Sequence, residues 1–310
     1  YIGGIPKKYA ETFYVPHHFS HMEYIAHYGN LEPGIILVID GSGSSENDRS
    51  LFNMKEEYHP KIIDYTNFAG REVISAYWFD GQKSSLIYRF SPTHLFFDKA
   101  NQDGGFLYQS IGHYWEWASL YCCGSRDKAG KVMGLAAFGE KDKINKEEIL
   151  SISDTGKVNV DYKRLKKNFK EPNIFKLDLS NSKHHQNLAL KVQSETEDVI
   201  LKLLGILKEK YPTDTLYFCG GVALNVVANE RIKSSNLFKN VVLNGSVEDN
   251  GTAIGAGLAA SIQLGYKRKS SVITDYYGRK YSHEEIMEAV AEYNFSHKIL
   301  SDKELFEHAA

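Results

Sequence analysis

The segment YVPHHFSHMEYIAHY, residues 14 to 28, places imidazoles at positions 17, 18, 21 and 27 in an otherwise aromatic and apolar stretch. Proline is tolerated near a helix N-terminus, where its missing N–H has no intrahelical partner, so Pro16 predicts a helix that starts just after it. On that helix His17 and His21 stand at i and i+4 and share a face, while His18 points elsewhere. Two neutral imidazoles one turn apart can ligate a borderline divalent cation, with a distant carboxylate and water or substrate completing the set. An isolated HxxxH also arises by chance or from core hydrogen bonding, so the motif needs support from the rest of the chain.

Three glycine loops offer that support. IDGSGSS (39 to 45) sets Gly41 and Gly43 around Ser42, directly after Asp40. Backbone N–H groups in such a loop can converge on phosphate oxygens where a Cβ would intrude. FCGGVALN (218 to 225) puts Gly220 and Gly221 where a strand hands over to a helix, a place that admits close backbone approach and favours an anion. EDNGTAIGAG (248 to 257) holds Asp249 and Asn250 before another helix. Singly, each is ordinary turn chemistry, and none matches a Walker A loop or a correctly spaced GxGxxG. Their order behind an HxxxH is far more specific.

The elements that must carry these loops read as α/β. PGIILVID (33 to 40) is a buried strand, and REVISAYWFDGQKSSLIYRF (71 to 90) is a hairpin turning at DGQK. Residues 104 to 121 predict a helix with its lead-in loop, 141 to 185 an irregular excursion rich in Lys, Asn and Asp, and 188 to 211 a long amphipathic helix. Strand, glycine loop and helix then recur twice, at 215 to 232 and 240 to 265, the last helix being made of small residues that permit close packing. From about 266 the composition turns polar and charged, which predicts a linker into a second element.

Composition excludes several classes. Lys+Arg 37 against Asp+Glu 39 gives no global nucleic-acid footprint, and no apolar run is long enough for a membrane span. Cys122, Cys123 and Cys219 form neither a disulfide framework nor a CxxC knuckle, which fits a reducing cytoplasm, and Cys122 and Cys123 read as small hydrophobes rather than nucleophiles. His113 is expected in an aromatic layer, His184 and His185 in an exposed loop, and KRLKKNFK (163 to 170) on a solvated face.

Taken in order, HHFSH, VIDGSGS, GKVMGLAAFG, CGGVALNVVAN and EDNGTAIGAG resemble the O-carbamoyltransferases of nodulation-factor and antibiotic tailoring, relatives of the tRNA threonylcarbamoyltransferase protein. The resemblance implies a duplicated actin-like ATPase (ribonuclease H-like) fold, with mixed sheets flanked by helices and its N-terminal strand and loop missing here. It implies an actin-like carbamoyl-transfer domain over 1–265, and over 266–310 a linker and the start of a YrdC-like domain, so that the chain reads as a piece lacking the carbamoyladenylate-forming site. It also implies an iron-like divalent metal on His17, His21 and Asp249. Nucleotide contacts fall by the same resemblance on Asp40, Gly41, Ser42, Gly43, Gly220, Gly221, Asn225 and Asn250, while Lys131 and Gly134 match the KVMGLA motif with their contacts left open.

The implied reaction transfers a carbamoyl group from carbamoyladenylate, made from carbamoyl phosphate and ATP, to a hydroxyl of a small molecule such as a sugar or secondary metabolite. A metal beside the carbonyl and amides beside the phosphate suit that chemistry. His18 is the candidate to take the hydroxyl proton, the alternative being a ring that faces solvent. A tRNA-modifying relative and a nucleotide- and metal-binding module without turnover stay open, as does a homodimer; GKVMGLAAFG favours the small-molecule branch.

Overall fold

The computed structural model describes residues 12–28, 31–45, 56–67, 70–92, 94–95, 107–169, 182–269 and 278–309. The chain divides into two compact units, Tyr1–Ile273 and Thr274–Ala310.

In the first unit, helix α1 (His17–Tyr28) begins right after Pro16, and the Ser44 hydroxyl accepts the N–H of His17 at 3.0 Å. Strand β1 (Gly34–Ile39) follows, all six residues buried, as its unbroken apolar run requires of a central strand. After β2 (Tyr58–Thr66) come β3 (Ile74–Phe79) and β4 (Ser84–Ser91), the hairpin read from DGQK. Asp80 Oδ1 accepts the N–H groups of Gln82 and Lys83 at 2.8 and 2.7 Å, and Gly81 supplies the positive φ of 97° that closes the turn.

Short β5 (His94–Leu95) and β6 (Leu107–Tyr108) pair antiparallel and lead into α2 (Ile111–Cys123), N-capped by Ser110. Helix α3 (Ala129–Ala136) carries the KVMGLA motif. The excursion expected to be irregular instead forms a small hairpin, β7 (Leu150–Ile152) with β8 (Val158–Val160), and α4 (Tyr162–Asn168); residues 170–181 lie outside the described set. Helix α5 (Ser182–Lys210) follows, and it absorbs His184 and His185. The exposed-loop expectation for that pair is corrected: His185 is buried, its ring 5.3 Å from that of Tyr121.

Strand β9 (Thr215–Cys219), a 3-10 turn (Gly221–Leu224) and α6 (Val226–Ser234) form one strand–loop–helix unit. Strand β10 (Asn240–Val242) and α7 (Asp249–Gln263) form the next.

The main sheet runs β10-β9-β1-β3-β4-β2. β9 and β10 run parallel to β1, β3 is antiparallel to β1 and to β4, and β2 is parallel to β4, so the sheet is mixed and flanked by helices. Adjacent parallel strands end on one side, and the loops after β1 and β9 therefore emerge next to each other, Val38 standing opposite Cys219 in register.

In the second unit, α8 (His283–Glu292) starts with a capping box in which Ser282 and Glu285 satisfy each other's backbone N–H, and α9 (Asp302–Ala309) follows. Among the described residues no helix is long and apolar enough to cross a membrane.

Candidate metal centre and the pocket beside it

Four side chains from three elements meet at the carboxyl end of β1. Pro16 sets the start of α1 so that His17 and His21 project together; Asp40 follows β1; Asp249 opens α7. Their nearest ligating atoms all lie within 4.8 Å of one another. His17 Nε2 stands 3.2 Å from His21 Nε2, 2.8 Å from Asp40 Oδ2 and 3.3 Å from Asp249 Oδ1. His21 Nε2 stands 3.5 and 3.6 Å from the same two oxygens.

Helix packing fixes this meeting. A Cβ on Gly255 would sit 1.8 Å from the Ser20 carbonyl oxygen, and one on Gly251 would strike the Tyr24 ring at 2.7 Å, so only glycine lets α7 lie this close on α1. At the other edge, the amides of Gly41 and Gly221 donate to Asp40 Oδ1 at 2.7 and 3.4 Å. One carboxylate thus ties both glycine loops to the histidine pair.

Electrostatics follow from burial and pairing. Burial pushes the His17 imidazole down, but hydrogen bonds to Asp249 and Asp40 outweigh it and raise its pKa to about 10. Burial would raise Asp40, yet its bonds to His17 and His21 hold it well below the usual carboxylate range; Asp249 is lowered by the same two partners. Two ring nitrogens cannot face each other at 3.2 Å as bare lone pairs, so a proton or a cation must lie among these donors. Two imidazoles and two carboxylates are a donor set suited to a borderline divalent ion.

His18 does not face solvent. Its ring is fully buried, Nδ1 is 2.8 Å from the Ser75 hydroxyl, and burial, aided by the charge of His17, keeps it neutral. A Cβ on Gly43 would meet its Cδ2 and Nε2 at 2.8 and 2.9 Å, so the loop backbone covers the ring.

Beside the cluster lies a cavity of about 310 Å³ whose wall includes Asp40, Gly41, Gly221 and Asn225. Opposite stand Gly112, Trp115 and Glu116 of α2, none of which the sequence reading marked, and Met133 of α3, which lies within the KVMGLA motif. Gly112 is required there, since a Cβ would sit 2.5 Å from Gly41 Cα. The one sequence signal was a glycine two residues after a capping serine, which is weak. Burial raises the Glu116 pKa, and His113 on the same helix is lowered to about 4 by burial and then by Arg126.

The remaining expected residues divide. Asn225 is buried and committed, its Oδ1 accepting Ala228 N at 3.0 Å and its Nδ2 donating to Gln193 at 3.0 Å. Gly220 turns the chain at φ 90°. Ser42 stays in the first loop between Gly41 and Gly43, half-buried, and Asn250 is exposed beside Asp249. Lys131 and Gly134 are exposed on α3 and do not line this cavity. Cys122 is buried and its thiol is pushed up to about 12 by burial, which leaves it a poor nucleophile.

Comparison with known proteins agrees with this architecture. The chain is 26% identical over 213 residues to an uncharacterized protein of Methanocaldococcus jannaschii, covering 64% of this chain and 33% of that one. It is 25% identical over 174 residues to nodulation protein NolO of Bradyrhizobium diazoefficiens, covering 55% and 32%. The chain therefore spans about a third of the length of these relatives. Full-length HypF, solved in a phosphate- and nucleotide-bound form, shares the fold at a TM-score of 0.52 and 14% identity, over 84% of this chain and 45% of that one. The sequence model of the carbamoyltransferase N-terminus matches residues 6–258, a span that takes in α1, both glycine loops and Asp249, and the chain belongs to that family.

Proposed function

We propose that this chain carries the transfer site of an ATP-dependent O-carbamoyltransferase acting on a hydroxyl of a small molecule, a sugar or secondary metabolite. The observation that carries the reading is the meeting of His17, His21, Asp40 and Asp249 at the rim of a cavity walled by Gly41 and Gly221. Family membership supports carbamoyl transfer, and the phosphate- and nucleotide-bound form of HypF, which has this fold, supports a nucleotide in the cavity. The strand order, an antiparallel β1-β3-β4 run continued by parallel β9 and β10, supports the ribonuclease H-like, actin-like reading of residues 1–265. Residues 266–310 are assigned to the linker and the start of a second domain.

His17, His21, Asp249 and Asp40 would hold a divalent metal, Fe²⁺ by the family resemblance. When bound, it would supply Lewis-acid polarisation of a carbonyl oxygen. The bare backbone of the two glycine loops at Gly41 and Gly221, their own amides held by Asp40, would lie against carbamoyladenylate, the activated donor formed from ATP and carbamoyl phosphate. The acceptor oxygen then bonds to the carbamoyl carbon, the bond from that carbon to the phosphate oxygen breaks, and AMP leaves with the electron pair. The proton of the hydroxyl needs a base. His18 has the neutral state for it but lies behind Gly43, so its assigned role is to support the first glycine loop. Glu116 faces the cavity with a raised pKa and is assigned the proton.

Metal analysis of His21→Ala, with an AMP titration beside it, tests the reading. Loss of metal with the fold intact is expected; unchanged stoichiometry would sink the metal assignment. Metal and AMP binding without carbamoyl transfer from supplied carbamoyladenylate would instead indicate a binding module.

A further inference from the structure

Helix α7 delivers Asp249 yet buries only Gly251, Gly255 and Ala259. None of the three has a side chain larger than a methyl, and they set how close α7 lies on α1. Its position is held also at its ends. At the N-terminal end Asp249 reaches His17 and His21. After the C-terminal end the chain turns at Gly265, φ 92°, and Arg268 points back into the protein.

The Arg268 guanidinium ion-pairs with Glu23 of α1, donates to the Gln82 carbonyl in the β3–β4 turn, and lies 5.5 Å from the Phe79 ring centroid. The Arg268 and Glu23 side chains are 5% and 2% exposed. Two other titratable groups belong to this neighbourhood: His27 Nδ1, 3.8 Å from Glu23 Oε2, and Asp80 in the same turn. Glu23 is two residues beyond His21 on the same rigid helix.

We propose that Arg268 is a positioning residue for the metal centre. By fastening the chain after α7 to Glu23, it holds the far end of α7 on α1 and so helps to keep Asp249 at His17 and His21. The inference rests on the reading of those donors as a divalent-metal site. It adds a residue that lies outside the site and is set apart from every ligand in sequence.

The test uses the full 310-residue chain with Co²⁺ alone as probe, measuring its affinity by titration and the urea midpoint of the metal-free protein. Arg268→Met should weaken Co²⁺ about tenfold, the loss usual for a support behind a metal ligand. Arg268→Lys, which keeps the charge without the fork, should fall between the two. The double variant Glu23→Gln with Arg268→Met removes the buried charge imbalance and guards against simple failure to fold. It should stay weakened, because the clamp is still missing. Lower urea midpoints with wild-type Co²⁺ affinity, or full recovery of affinity in the double variant, would overturn the proposal. Wild type that binds no Co²⁺ would overturn the metal reading and this inference with it.

Discussion

Asp40→Asn separates the metal reading from a purely structural one. In the metal-free protein Asp40 Oδ1 accepts the amides of Gly41 and Gly221 while Oδ2 faces His17 Nε2 at 2.8 Å. An asparagine can keep its oxygen on the two amides, but its NH₂ then faces the N–H of the protonated imidazole, donor against donor, so the loop bonds survive and the bond to His17 is lost. The loss is that of a charge-assisted bond, about 2 kcal/mol in metal-free stability. Metal binding should suffer more, because an amide nitrogen offers no lone pair where Oδ2 stood. A loss of about 100-fold corresponds to ~2.8 kcal/mol. At a metal concentration of about 100 times the wild-type Kd, binding stabilises wild type by ~2.7 kcal/mol and the variant by only ~0.4 kcal/mol. The difference is several degrees in thermal midpoint and is read by melting each protein with and without Co²⁺. Equal metal-induced shifts in the two proteins would show that Asp40 is no ligand, and the four-donor cluster would then be an ion-pair network.

Three further outcomes are expected. His17, raised to about 10 in the metal-free fold from 6.5, must lose its proton to bind a cation, so metal affinity should rise about tenfold per pH unit above neutrality. The contribution of its ion pairs to metal-free stability runs the other way, complete below about 6.5 and lost as pH climbs toward 10; calorimetry in buffers of different ionisation enthalpy should count close to one proton released per metal. Gly221→Val should abolish AMP binding by calorimetry, because its Cβ would already lie 3.0 Å from Asp40 Oδ1 and its branches would enter the cavity. Gly139→Ala should cost about 1–3 kcal/mol in urea unfolding, since the methyl meets Leu190 Cβ at 2.5 Å and the Gln186 carbonyl oxygen at 2.8 Å; Gly134→Ala, in open space on α3, is its neutral control.

What was legible in the sequence is what has a local period or a local turn. Pro16 marked the start of α1, DGQK the hairpin, and the unbroken run 34–39 the central strand. The histidine face and Asp249 could be paired only through resemblance, because the 227 positions between His21 and Asp249 hold no periodic clue to their meeting. The β7–β8 hairpin was unreadable for a related reason. Its backbone is anchored by Glu195, which accepts the amides of Ile149 and Leu150, and by Lys191, which donates to the carbonyls of Asn145 and Glu147. Both anchors lie more than 40 residues away on α5, and a Lys- and Asn-rich segment gives no sign of them. Likewise the α2 wall of the cavity has no motif, and Asp40 reads as a nucleotide contact, not as a fourth member of the histidine cluster, until α1 is placed over it.

Glycines supplied most of the recognisable pattern, and the structure sorts them by what a Cβ would strike. At Gly43, Gly112, Gly251 and Gly255 it would collide with the protein itself, with His18, Gly41, Tyr24 and Ser20 respectively. These glycines set distances between elements, and they would be needed if no ligand ever bound. At Gly41 the nearest atom is Glu116 Oε1 at 3.9 Å, and at Gly221 it is Asp40 Oδ1 at 3.0 Å, both of them side chains on the cavity wall. Protein packing does not demand a missing side chain at Gly41, and at Gly221 only a carboxylate lies near. The reason left for glycine at these two positions is approach from the cavity side, where a bound group would lie against bare backbone. The loops thus divide internally, one glycine of DGSG bare on the cavity wall and the other seating α1, so that a single motif would serve both the proposed metal helix and the proposed nucleotide contacts.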